Sequence, residues 1–178
     1  MAKGAFIALL FCPLPALAAG ISFDKSRVGE LRYGLVCGSD TAETIPAPQT
    51  AQGTIQKRED WQNIILETQI IPLVKGMALG VDVAPAGPRE IGDVTITVTH
   101  PPFNESGLTI DKWSAKFTSN GSNLNFFEFE VPDEMVEGIW TMTARKGIRT
   151  LYTVSFKVVD PATVPEMANL CDGISLTS

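Results

Sequence analysis

The sequence predicts an all-β protein. Three observations carry that expectation. From about residue 64 onward, β-branched and aromatic residues fall in short alternating runs; Gly, Pro, Asn and Asp cluster between the runs; and no stretch sustains the 3.6-residue period of an amphipathic helix.

The runs can be taken in chain order. A short strand is expected over residues 31–37. Residues 68–74 and 77–83 read as two consecutive strands joined at Lys75-Gly76, with Leu79, Val81 and Val83 on one face. Pro72 assigns the first of them to an edge or a bulge, because proline cannot donate to a ladder. Residues 93–99 alternate most cleanly: Val94, Ile96 and Val98 face one way, Thr95, Thr97 and Thr99 the other. In residues 125–131, Phe127, Phe129 and Val131 oppose Phe126, Glu128 and Glu130, and the glutamates mark that second face as wet. Residues 139–145 place Trp140, Met142 and Ala144 together. Lys146-Gly147 then turns the chain into residues 150–159, where Tyr152, Val154, Phe156 and Val158 share a face. About seven strands without helix-length crossovers imply antiparallel pairing throughout. The architecture expected is an immunoglobulin-like antiparallel β-sandwich, with a small β-barrel as the alternative.

The chain divides into four parts. Residues 1–19 have a basic start at Lys3, an apolar run from Ala5 to Cys12, and small residues at Ala16 and Ala18. They read as a cleaved secretory signal peptide, since the run of about eight residues falls short of the roughly 20 that a spanning helix needs. Residues 20–63 hold the first strand and a Pro/Thr/Gln-rich loop; residues 64–160 form the sandwich core; residues 161–178 are a tail. Export places the protein in the periplasm or outside the cell, with no transmembrane segment once the leader is removed. Leader removal also leaves two cysteines. In an oxidising compartment Cys37 and Cys171 pair into one disulfide that ties the tail to the first strand.

Of the 178 residues, 44% are apolar and 19% charged, which is ordinary for a globular domain. The formal charge is -6, and it becomes -7 when Lys3 is removed with the leader. This acidic balance argues against electrostatic binding to DNA, RNA or an anionic membrane surface, because each needs clustered Lys and Arg rather than a net deficit.

Four further features bear on identity: Gly76 and Gly80 opening an apolar strand; residues 94–99 running into His100-Pro101-Pro102; Gly138-Ile139-Trp140-Thr141; and a hairpin closing on Phe156-Lys157-Val158-Val159. In these the chain resembles the domain-of-unknown-function family 3859 of bacterial proteins, over roughly residues 68–160. The resemblance implies a bacterial domain with no assigned activity, so it carries over no catalytic residue.

No catalytic signature stands out. His100 is the single histidine, which removes multi-His metal sites, and no Gly-x-Ser-x-Gly elbow accompanies it. Before Pro101-Pro102 at a strand end it reads as a turn residue that packs on Phe103 or bonds a loop carbonyl. Asp111, Asp133, Glu134 and Glu137 offer hard oxygen ligands, but their spacing matches no calcium loop. Asn104-Glu105-Ser106 and Asn120-Gly121-Ser122 fit the glycosylation pattern and are plain loop residues in a bacterium. Trp140 belongs to the core by its phase. Trp61 and Trp113, each beside charged residues, together with His100, form the candidate binding surface.

The function expected is therefore a non-enzymatic module that binds an envelope protein or component through loops or a strand edge, without cofactor or metal. The alternative is a small-ligand or carbohydrate-binding module that stacks its ligand on an exposed Trp. A hydrolase built on His100 ranks last.

Overall fold

A computed structural model describes residues 20–38, 43–57, 63–119 and 122–171. The strands, in chain order, are β1 (Ile21–Phe23), β2 (Val28–Cys37), β3 (Glu43–Pro46), β4 (Thr54–Lys57), β5 (Leu66–Glu67), β6 (Ile70–Pro72), β7 (Met77–Pro85), β8 (Gly92–Thr99), β9 (Ile110–Phe117), β10 (Asn125–Glu128), β11 (Gly138–Lys146) and β12 (Arg149–Val159). One sheet runs β1-β12-β11-β8-β9, with β6 beside β12; a second runs β10-β7-β2-β5; β3 and β4 form a separate ribbon. Both main sheets are open, so the sandwich holds and the barrel does not.

The β11–β12 hairpin shows how alternation becomes core. Its register sets Trp140 opposite Phe156, Met142 opposite Val154 and Ala144 opposite Tyr152, all fully buried. A bulge next to Ala144 inserts one residue into β12, so the consecutive Leu151 and Tyr152 both reach the interior. Gly147 (φ 57°) and Ile148 close the hairpin as a two-residue turn, and a positive φ at the first position suits glycine. Val94, Ile96 and Val98 of β8 and Met77, Leu79, Val81 and Val83 of β7 complete the core between the sheets.

Several expectations are corrected. Residues 110–117 form an eight-residue strand, β9, that alternation did not announce, because its inward positions are Asp111, Trp113, Ala115 and Phe117. The described part of the Pro/Thr/Gln-rich segment, residues 43–57, is more than a loop, since β3 and β4 pair there from Glu43↔Lys57 to Pro46↔Thr54. Pairing is not antiparallel throughout: β6 lies parallel to β12, and it joins a different sheet from β7, so the two do not make a hairpin. Only Ile70–Pro72 of the expected 68–74 run is strand, with Pro72 at its end. The outer face of the second sheet is not simply wet. Phe126 and Leu124 pack there on Val36, Ile64 and Ala78, and a Cβ on Gly80 would stand 2.7 Å from Val36, so glycine is what lets that layer close.

Cys37 and Cys171 are bonded, with Cα atoms 5.5 Å apart and 134 residues between them in sequence. The chain-entropy model values such a loop at about 5 kcal/mol as a ceiling. The tail reaches that bond through a 3-10 turn at Pro161–Thr163, which Asp160 caps by accepting the Ala162 N–H at 2.8 Å, and a single helical turn, α1 (Pro165–Ala168). No described helix is long and apolar enough to cross a membrane. Residues 1–19, the expected signal peptide, and Trp61 lie outside the described residues.

Candidate functional site

His100 directly follows β8 and Asp111 is the second residue of the neighbouring β9, so the ladder that ends at Thr99↔Ile110 brings the two side chains close. His100 Nε2 stands 2.9 Å from Asp111 Oδ2, and both side chains are sealed from solvent. His100 Nδ1 lies 2.8 Å from the Pro101 carbonyl oxygen. Both neighbours are acceptors, so Nδ1–H donates to the carbonyl and a proton occupies the Nε2–Oδ2 line. The ring is stacked between Phe103 (centroids 3.9 Å, 17° between planes) and Trp140 (4.7 Å, 27°). Both nitrogens are engaged and neither meets solvent. His100 is thus an interior post and not part of an exposed binding surface; packing on Phe103 and bonding a loop carbonyl are the roles the turn reading gave it.

The far oxygen of Asp111 accepts the Ala51 N–H at 2.6 Å, and the Gln49 carbonyl accepts the Lys112 N–H at 2.9 Å. These bonds dock the tip of the β3–β4 ribbon on the sandwich. Glu134 provides a second anchor. Its Oε1 accepts from Gln52 Nε2 at 2.7 Å, and its Oε2 accepts from the Glu130 and Val131 N–H groups at 3.0 and 3.3 Å. Burial raises the Glu134 carboxyl above its ordinary value against the pull of those bonds, and the Glu130 charge adds to the rise.

The remaining acids do not converge on an ion. Asp133 accepts from the Glu105 and Ser106 backbone N–H groups, which holds its carboxyl below the usual carboxylate range. Among the described residues no group of three or more His, Cys, Asp and Glu could hold a metal. Asn104 donates its amide to the Pro132, Asp133 and Met135 carbonyls, so its side chain fastens one loop to another.

Trp140 is fully buried and donates to the Val136 carbonyl at 3.2 Å. Trp113, half-buried on β9, donates to Asn125 Oδ1 of β10 at 3.3 Å and so bridges the two sheets on one side of the sandwich.

Sequence reasoning missed the edge on which Trp113 sits. β9 is the outermost strand of its sheet, and the Lys112 N–H points away from β8 to reach Gln49. By the two-residue alternation the N–H groups of Ser114 and Lys116 point outward as well, and among the described residues neither has a hydrogen-bond partner. β1, β5, β6 and β10, the other outer strands, are only two to four residues long.

Two open sheets closing on one apolar layer define an immunoglobulin-like β-sandwich, and a comparison with solved structures agrees. A crystal structure of an immunoglobulin-like protein from Pseudomonas aeruginosa superposes with a TM-score of 0.51 at 21% identity, covering 81% of this chain and 100% of that one. The chain belongs to a family described as a domain of unknown function, DUF3859, whose model matches residues 24–158. No curated protein matches the sequence.

Proposed function

We propose that this chain is a non-enzymatic binding module of the bacterial cell envelope that takes up a protein partner by strand addition along β9. Export through a leader at residues 1–19 supplies the compartment, and the Cys37–Cys171 bond supports it, because such bonds persist where thiols are oxidised. The observation that carries the reading is the outward row at Ser114 and Lys116 on an eight-residue outer strand. Long open edges template pairing, and proteins normally keep outer strands short. Lys112 and Lys116 guard the edge against indiscriminate pairing and favour an acidic incoming strand.

The carbohydrate reading draws less support. The Trp113 indole N–H is committed to Asn125, and its ring is half-buried against the core.

A photoreactive residue placed at Ser114 in growing cells is expected to give a discrete adduct, whereas the same residue at exposed Lys157 of β12 gives none. Ser114→Pro, which removes an outward N–H without breaking a β8–β9 ladder bond, should abolish binding of that partner while changing thermal unfolding little. Adducts equally strong at both positions, or at neither, would sink the proposal.

A further inference from the structure

At the end of the sandwich opposite His100, charge is distributed against the sign of the whole chain. Arg27, Lys146 and Arg149 line a cleft of about 240 Å³ together with Ile91 and Leu151. Arg145 stands one residue before Lys146 and bonds the Ile148 carbonyl at 3.0 Å, which braces the hairpin turn. Lys146 Nζ donates to the Ile91 carbonyl, a bond that positions the ammonium without neutralising it. The carboxylate bound to this set is Asp24, which reaches Arg149 at 3.5 Å while its other oxygen accepts from Ser26. Glu90, next to Ile91, is paired with Lys116 at 3.4 Å. Arg27, Lys146 and Arg149 therefore share one cleft, with Arg145 beside it and Asp24 paired to Arg149, on a chain whose total charge is -6.

At the hairpin tip between Lys146 and Arg149 stands Ile148, 95% exposed, whereas the other exposed large apolar residues among those described are 39–47% exposed. The turn that holds it requires glycine only at position 147, so backbone geometry does not call for isoleucine at the tip. An aliphatic side chain at a hairpin apex, ringed by Arg and Lys, matches the layering of a bilayer interface, with acyl chains beneath and phosphates around.

We propose that this end docks on an anionic lipid surface, with lipid phosphate in the Arg27–Lys146–Arg149 cleft and Ile148 entering the interface. Net charge alone argues against such a surface, but its distribution supplies an orientation: the acidic remainder is repelled while the basic end faces the phosphates. The site is independent of strand addition on β9.

The test is flotation of the disulfide-bonded protein with vesicles of phosphatidylethanolamine and phosphatidylglycerol, and with vesicles of phosphatidylcholine. Salt-sensitive binding to the anionic vesicles alone is expected. Arg27→Gln with Arg149→Gln should weaken it on the order of tenfold, Ile148→Ser should weaken it measurably, and Ser114→Pro should leave it unchanged. All these side chains are on the surface, and circular dichroism checks that each variant folds. Absence of flotation, or flotation indifferent to both the charge and the Ile148 variants, overturns the proposal. Displacement by inorganic phosphate or by polyglutamate, with Ile148→Ser without effect, also overturns it, because the cleft would then be a site for a free anion or for an acidic protein.

Discussion

His100 Nε2 and Asp111 Oδ2 are hydrogen-bonded at 2.9 Å inside the protein, where neither side chain meets water. The pair does more than join β8 to β9. Through its second oxygen Asp111 also holds Ala51, 60 residues earlier, so one carboxylate fixes both a strand boundary and the docking of the β3–β4 ribbon. Removing one partner leaves the other's polar atom buried without a hydrogen-bond partner, in a medium that cannot solvate it.

Asp111→Ala is accordingly expected to destabilise the fold by about 2–4 kcal/mol in denaturant titration, because it leaves His100 Nε2 and the Ala51 N–H without partners. Asp111→Asn should cost much less, about 1 kcal/mol, because its amide can donate to Nε2 while its oxygen still accepts from Ala51. The contrast is the informative quantity: equal losses in the two variants would show that the hydrogen bonds are not what the site contributes. Hydrogen exchange should locate the damage in the ribbon tip, around residues 47–53.

Glu134 gives the protein a pH dependence of defined sign. Its carboxyl is raised above the usual 4.5 by burial, so the native state holds the proton to higher pH than the unfolded chain does. Over that interval the native state binds more protons, and stability falls as pH rises. The contribution is complete below about pH 4.5 and is lost as pH climbs through the folded value. Asp133 acts oppositely, because its carboxyl is depressed below 3.8, and its contribution disappears only as pH falls beneath that value. Glu134→Gln should therefore lack the decline above pH 4.5 that the native protein shows, and unfolding free energies measured from pH 4 to 7 would read the difference. Parallel curves would refute this role for Glu134.

The strands that sequence disclosed and those it hid differ in what stabilises them. β8, β11 and β12 were legible because apolar or aromatic residues recur at every second position and bury almost completely. The pairing of Cys37 with Cys171 followed from there being two cysteines outside the expected leader. β9 was illegible because two of its four inward positions are Asp111 and Ala115, and an inward aspartate makes sense only once His100 is seen opposite. The ribbon of β3 and β4 depends on Asp111 and Glu134, which stand 60 and 82 residues from the tip residues they hold, and no local pattern encodes such contacts. His100 was placed on a binding surface for the same reason: its burial comes from Phe103 and Trp140, the second of them 40 residues later. The basic end was hidden by summation, since net charge says nothing of where charges gather.

Tyr152 provides the last prediction. It stands at the centre of the core, fully buried, its ring stacked on Phe117 at 6.4 Å, and among the described residues its hydroxyl has no hydrogen-bond partner. Burial raises the phenol far above its ordinary value, with the Asp82 charge adding to the rise, so the group stays neutral at any physiological pH and titrates nothing. What the hydroxyl contributes to folding is then mainly a desolvation penalty, which runs to about 1–3 kcal/mol for an unpaired buried polar group. The ring accounts for the packing, and phenylalanine keeps the ring. Tyr152→Phe should therefore leave the protein as stable as before or raise its unfolding free energy by up to about 2 kcal/mol, in contrast to the usual cost of altering a core residue. Tyr152→Ala is the control, because it removes the ring as well and should cost about 3–5 kcal/mol. A loss above about 1 kcal/mol for the phenylalanine variant would mean that the hydroxyl is bonded in solution, and the account of this part of the core would have to change.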